Sequence, residues 1–287
     1  MSGQGIEIII NALMLSSMYI LVASGFALVL NIMGILNFAH GALYMVGGYV
    51  CYQLGVIYGI NLWLSLLLAA AVMALFGLFL ERFCFRPFYG DFFNSTIVSI
   101  ALILIFQTTV NLTMGDHVRS LPPFVAGMFK HGGVSISWDR LATGAIGVGL
   151  LGILTLYIRK SKMGQQMLAV AQDSVGAELQ GIRIHRVAAI AMGLGCALAT
   201  VAGSFMGAIF DLTPFMGDLI LVRVIQLVIL SGIGSIGGVL IGGLVIGALD
   251  SILPLYVTPS IAQTLGLAFV IVVLLIRPRG LFGREAA

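Results

Sequence analysis

Long apolar runs, each interrupted by only one or two polar residues, constrain this chain more than any other feature. They fall at about 6–30, 35–58, 60–80, 94–114, 140–158, 187–210, 219–234, 236–253 and 260–276. Several reach the roughly 18–20 residues that an α-helix needs to cross a hydrocarbon core of about 30 Å. Of the 287 residues, 60 % are hydrophobic and 9 % charged, too few charges to cover the surface of a soluble domain of this length. The chain is expected to be an all-α polytopic membrane protein. A single transmembrane domain, 1–287, would carry about 8–9 transmembrane segments with broken or re-entrant helices. The 37 glycines suit helices that pack closely or break inside a membrane.

The start lacks the basic region of a secretory signal peptide, because Glu7 is the only charge before or within the first run. Orientation follows from Lys and Arg. Arg82 and Arg86, five basic residues in 159–186, and Arg277, Arg279 and Arg284 make ten of the fourteen. Placing these ten in the cytosol puts 115–139 and 211–218 outside, the N-terminus outside and the C-terminus inside. The 115–139 loop, with Pro122-Pro123 and no long periodic run, is expected to receive a soluble partner, act as a lid or merely connect helices. Asp211 and Asp218 read as parts of a solvated turn.

The longest polar stretch is Arg159 to Arg186. Met167, Val170, Ala171, Val175 and Leu179 recur there at helical spacing, which predicts a short amphipathic helix. Gly164 is expected to precede it and Gly181 to cap its end. With Ala169, Ala171, Gly176 and Ala177 on it, the helix is either a docking surface or a loop that orients its neighbours.

Two polar, Gly-containing interruptions split the apolar pattern. One is Asn31-Ile-Met-Gly-Ile-Leu-Asn-Phe-Ala-His-Gly41, the other Ser231-Gly-Ile-Gly-Ser-Ile-Gly-Gly238. Broken helices in corresponding places of two halves point to a transport pathway, because freed backbone groups need polar surroundings. Loose glycine packing between helices would leave the same pattern. On the pathway reading, Asn37, His40 and Gly41 line or support the route together with Ser231 and Ser235. Asn37 is alternatively a cap for the second helix.

Catalytic chemistry is not in evidence. His40, His117, His131 and His185 lack metal-ligand spacing, and Cys51, Cys84 and Cys196 are scattered. No Lys follows a Gly, so there is no phosphate-binding loop of the Walker type. Any ATP must bind another chain, and no cofactor is expected. Ionisable groups are sparse within the runs, which speaks against ion coupling. Glu81 and Asp250 lie near segment ends where water reaches, and Arg223 is placed to snorkel to the outer interface. Gln107, Thr108, Thr109, Asn111 and Gln226 either bond across helices or touch a polar solute.

Three stretches together resemble one family, the permeases of branched-chain amino-acid ATP-binding-cassette importers, of the LivH type. They are Leu36-Asn-Phe-Ala-His-Gly41; Lys162-Met-Gly-Gln-Gln-Met-Leu-Ala-Val-Ala-Gln-Asp173 with Ala177-Glu-Leu-Gln-Gly-Ile182; and Gly232-Ile-Gly-Ser-Ile-Gly-Gly-Val-Leu-Ile-Gly-Gly243. Ser231, Met163 and Gln165 depart from the commoner family residues. The resemblance implies a multi-pass subunit of the bacterial inner membrane, surrounded by membrane lipid. Its implied partners are two cytosolic ATPase subunits, a second, similar permease and an extracytoplasmic solute-binding protein, with no nucleic acid. It implies that Gly164 starts a coupling helix, that Ala171 and Ala177 allow close approach, and that Asp173 or Glu178 pairs with the ATPase, with Gly181 closing the segment. The rival reading is a passive channel for a small neutral solute. Importers of urea, short amides or sugars belong to the same wider group.

Overall fold

A computed structural model describes residues 2–131, 134–232, 236–278 and 280–282. Its helices follow the apolar runs. α1 (Ser2–Met33) precedes α2 (His40–Tyr52), which runs on through a π-helical turn, Gln53–Ile57. α3 (Leu62–Leu80) continues through a π turn and a 3₁₀ turn to Phe88, and α4 spans Phe92–Met114. A hairpin of β1 (Met128–His131) and β2 (Val134–Ser137) leads into α5 (Trp138–Lys160). The short pair α6 (Lys162–Gln172) and α7 (Ser174–Leu179) precedes α8 (Ile184–Phe210), α9 (Met216–Ser231), α10 (Ile236–Ile252) and α11 (Pro259–Ile276).

Among the described residues, seven helical stretches are long and apolar enough to cross a membrane: Gly5–Met33, Leu62–Phe88, Phe92–Met114, Trp138–Lys160, Ile184–Phe210, Gly238–Leu255 and Pro259–Ile276. The protein is a multi-pass, all-α membrane protein. The other two expected segments are α2 and α9, of 13 and 16 residues. At 1.5 Å per residue α9 is about 24 Å long, short of the core thickness, and α2 alone about 20 Å, its π turn carrying the helix on to Ile57. Each is an arm of one of the two interruptions.

The chain divides into two compact units. The first comprises 1–23, 123–151 and 222–287. Here α10 lies on α1 through glycine: a Cβ at Gly247 would come within 2.6 Å of the Ser16 nitrogen. Lipid is as apolar as leucine, so such close approach and its dispersion energy replace the hydrophobic effect between helices. Polar bonds tie the ends, with Ser251 donating to the Ile8 carbonyl at 2.9 Å and Arg140 to Asn11 at 2.9 Å. The Glu7 carboxylate accepts the Ser135 N–H at 2.6 Å, anchoring β2.

The second unit comprises 24–122 and 152–221. α8 packs against α2 and α3. A Cβ at Gly77 would meet Cys196 Sγ at 2.8 Å and the Met192 carbonyl at 2.9 Å, so α3 reaches α8 only because Gly77 is bare. Met73, Leu80, Phe85, Val187, Ala191 and Cys196 are buried in the core between them. Ile158, Met167, Val170 and Ala177 join that same core, so the polar helix pair α6–α7 is rooted in it.

The 115–139 stretch was expected to lack periodic structure, yet it holds the hairpin, with Met128 opposite Ser137 and Lys130 opposite Ser135. Gly132-Gly133, between the strands, is the signal that finds such a hairpin. Arg119 and Leu212 exchange backbone bonds of 3.0 and 2.7 Å, and Ser120 donates to Asp211 at 2.6 Å. The Asp211 turn is therefore pinned rather than merely solvated.

Candidate functional site

The first interruption is a non-helical stretch, residues 34–39, between α1 and α2. Gly34 turns the chain with φ +67°, a region costly for residues with a Cβ, and its N–H still reaches Leu30 at 2.9 Å. Ile35, Asn37 and Ala39 are all buried. Asn37 does not cap α2: the N-cap position is Ala39, without a side-chain bond. Its backbone carbonyl accepts the His40 N–H at 3.1 Å, while Nδ2 contacts Met192 Sδ at 3.6 Å. Oδ1 is buried and has no hydrogen-bond partner among the described residues. His40 is buried beside Phe26, ring centroids 5.8 Å apart, edge to face. Gly41 abuts Gly217, and a Cβ there would also lie 2.8 Å from Leu221 Cβ. The sequence thus brings Asn37, His40 and Gly41 into one buried turn.

At the second interruption α9 ends at Ser231, and Gly232 follows with φ +88°. Ser231 is buried and donates to the Leu227 carbonyl at 2.6 Å, so its hydroxyl serves its own helix. Ser235 lies outside the described residues. The carbonyls that a helix end leaves open are met from the chain's far end. Leu281 donates to Leu230 at 2.8 Å and Phe282 to Ser231 at 3.2 Å.

Two polar residues, Arg223 and Glu81, stand otherwise than expected. Arg223 does not snorkel: it is 8 % exposed and pairs with Asp250 at 2.6 Å. Tyr19 donates to the other Asp250 oxygen at 2.9 Å, and Arg223 donates to Gln226 at 3.0 Å. Glu81 is fully buried instead of water-exposed, held by Arg86 at 3.1 and 2.9 Å and by the Tyr89 hydroxyl at 2.7 Å. Gln107 bonds across helices, donating to Asp218 at 2.7 Å.

The polar segment is two helices, not one. Ser161 caps α6 by accepting the Gly164 N–H at 2.9 Å, so Gly164 lies inside the first turn rather than before the helix. Asp173 ends α6 and caps α7, accepting the Gly176 N–H at 3.0 Å. Gly181, φ +82°, closes α7: its N–H bonds Glu178 at 2.8 Å and that of Ile182 bonds Ala177 at 3.1 Å, the paired bonds of a Schellman end. Gly164 and Ala177 are buried against this chain's own core. Ala171, Asp173, Glu178 and Gly181 are exposed. Beside them stand Val175 and Leu179, 66 % and 83 % exposed, which helical spacing had put on one face with the buried Met167 and Val170. The Asp173 break turns them outward.

Next to α7, a cavity of about 680 Å³ is lined by Arg86, Tyr89, Glu178, Arg183, His185 and Arg186, among others. The Tyr89 and His185 rings lie 5.4 Å apart. Burial, and then the Glu81 carboxylate that accepts its proton, push the Tyr89 phenol well above its usual range, so it stays a neutral donor. The nearby Asp91 carboxyl is held below its usual range by the Asn94 N–H and side chain.

Residues 8–276 match the family described as branched-chain amino acid transport system / permease component. The high-affinity branched-chain amino acid transport system permease protein LivH of Escherichia coli (strain K12) is 32 % identical, over 96 % of this chain and 94 % of its own. The same-named protein of Salmonella typhimurium is 31 % identical with the same coverage. BraD of Pseudomonas aeruginosa, also named a high-affinity branched-chain amino acid permease protein, is 30 % identical over 96 % of this chain and 95 % of its own.

Proposed function

This chain belongs to the branched-chain amino acid transport system permease family, and on that premise we propose that it forms the translocation pathway of an ATP-driven importer for branched-chain or other hydrophobic amino acids. Two cytosolic ATPase subunits supply the energy. A second, similar permease completes the pore, and an extracytoplasmic binding protein delivers solute to the 115–139 and 211–218 side.

The observation that carries this reading over a passive channel is the α7 surface. A helix that exposes Val175 and Leu179 at 66 % and 83 % suits a partner that covers them. Its base shares a core with the end of α5 and the start of α8 through Met167, Val170 and Ala177. Force applied by closing ATPases would therefore move membrane helices rather than bend a loose loop. Asp173 and Glu178 offer charge to basic groups on the ATPase. The pathway itself is assigned to Asn37, His40 and Gly41, and to Ser231 with Ser235. The buried acceptor Asn37 Oδ1 suits an ammonium or water in transit.

The test is reconstitution of the permeases with their ATPase and binding-protein partners in vesicles. The expected result is leucine uptake that requires ATP and the binding protein. Uptake without either sinks the importer in favour of a channel. Competition by urea, short amides or sugars, with none by leucine, reassigns the solute.

A further inference from the structure

We propose that the Arg86–Arg183–Arg186 cavity binds the phosphate headgroup of an anionic phospholipid. Three guanidiniums line the cavity against one carboxylate, Glu178, and the cavity, about 680 Å³, is the size of a small-ligand pocket. Arg86 is pre-oriented: its Nε and Nη2 hold the buried Glu81, which fixes the plane of the guanidinium. The Glu81–Arg86 pair is close to neutral overall, so the excess positive charge that faces an incoming anion is that of Arg183 and Arg186. Among the described residues neither Arg183 nor Arg186 has an ion-pair partner, and both are exposed. Planar forks from two separate elements suit the several oxygens of a phosphate better than a single carboxylate.

The position names the source. Arg86 and Tyr89 lie at the end of the span Leu62–Phe88, and Arg183 to Arg186 at the start of the span Ile184–Phe210. Both are membrane-crossing helices that end at the same cavity, so the cavity sits at headgroup level, where basic pockets between transmembrane helices take lipid phosphate. Phe83 at 61 % exposure, near the end of the first of these spans, and Phe92 and Phe93 at 56 % and 73 %, at the start of α4, offer apolar surface for acyl chains. Tyr89 has the apolar ring and polar tip common at membrane interfaces.

The experiment uses full-length permease, delipidated in neutral detergent, titrated with phosphatidylglycerol or phosphatidylcholine, with bound lipid read by native mass spectrometry. The expected result is tight retention of phosphatidylglycerol but not phosphatidylcholine. In Arg183→Gln/Arg186→Gln, affinity should fall about tenfold or more. Both side chains are exposed, so the variant's helicity and thermal midpoint in phosphatidylcholine should match wild type. Phosphatidylglycerol retention unchanged in the variant overturns the proposal. So does protection of the site by inorganic phosphate alone, which would make it a free-anion site. A variant that keeps its lipid but no longer co-purifies with the ATPase subunits would reassign the cavity to protein docking.

Discussion

Arg223 and Asp250 meet at 2.6 Å with only 9 % and 12 % of their side-chain surfaces exposed. They join α9 to α10, the two arms of the second interruption. Tyr19 bonds the second Asp250 oxygen, Gln226 accepts from Arg223 Nη1, and Gly266 leaves room for that Nη1. The chain thus holds its one buried long-range ion pair among the described residues where helices must stay in register across a break.

Removing one partner strands the other charge. Asp250→Leu should cost about 3–5 kcal/mol, whereas Arg223→Met with Asp250→Leu should recover most of it. Tyr19→Phe should cost about 1 kcal/mol. Thermal unfolding in detergent measures all three; a single Asp250→Leu variant as stable as wild type removes the pair from the account.

For coupling, Val175→Ser with Leu179→Ser should abolish co-purification of the ATPase and ATP-dependent uptake. Stability should change by no more than about 0.5 kcal/mol, because both sites are exposed. Gly164→Val should act the other way. Its Cβ would meet Ile158 Cα at 2.5 Å, so protein level should fall before coupling does. Normal coupled transport in the Val175/Leu179 variant would end the docking assignment.

Asn37→Ala separates pathway from scaffold. The variant deletes a buried acceptor that has no partner among the described residues and a weak contact to Met192 sulfur. Thermal stability should hold or rise by up to about 1 kcal/mol. If Oδ1 meets solute, KM for uptake should rise at normal protein abundance. Unchanged uptake kinetics would take Asn37 off the route.

Much of this architecture is written locally. Hydropathy placed the membrane helices, and Gly34 and Gly232, both with positive φ and both inside the two interruptions, follow the last residues of α1 and α9. Caps were partly legible too, since Gly181 closes α7 as its residue type implies. What periodicity missed was Asp173, whose carboxylate is a better N-cap than a helix interior residue. Reading one helix through it put Val175 and Leu179 on the same face as Met167 and Val170, which the structure separates. The Arg223–Asp250 and Glu81–Arg86–Tyr89 clusters were missed for a different reason. Position along a segment says how far a charge is from water, but not which neighbour folding brings to it.

The last prediction concerns the far end of the chain, where Gly280 lies with φ +78° against the end of α9. The Leu230 and Ser231 carbonyls, open because α9 stops there, accept the N–H groups of Leu281 and Phe282 at 2.8 and 3.2 Å. A Cβ at Gly280 would come within 2.6 Å of the Gly232 nitrogen and 2.7 Å of the Ile229 carbonyl. All of these are main-chain atoms with little room to move. Gly280→Val should therefore lift the segment away and leave two carbonyls unpaired, at about 1–3 kcal/mol each. Hydrogen exchange reads this directly: the Leu281 and Phe282 amides should be protected in wild type and exchange much faster in the variant. The thermal midpoint should fall alongside. Equal protection of both amides in Gly280→Val would show that the terminal segment does not depend on this contact.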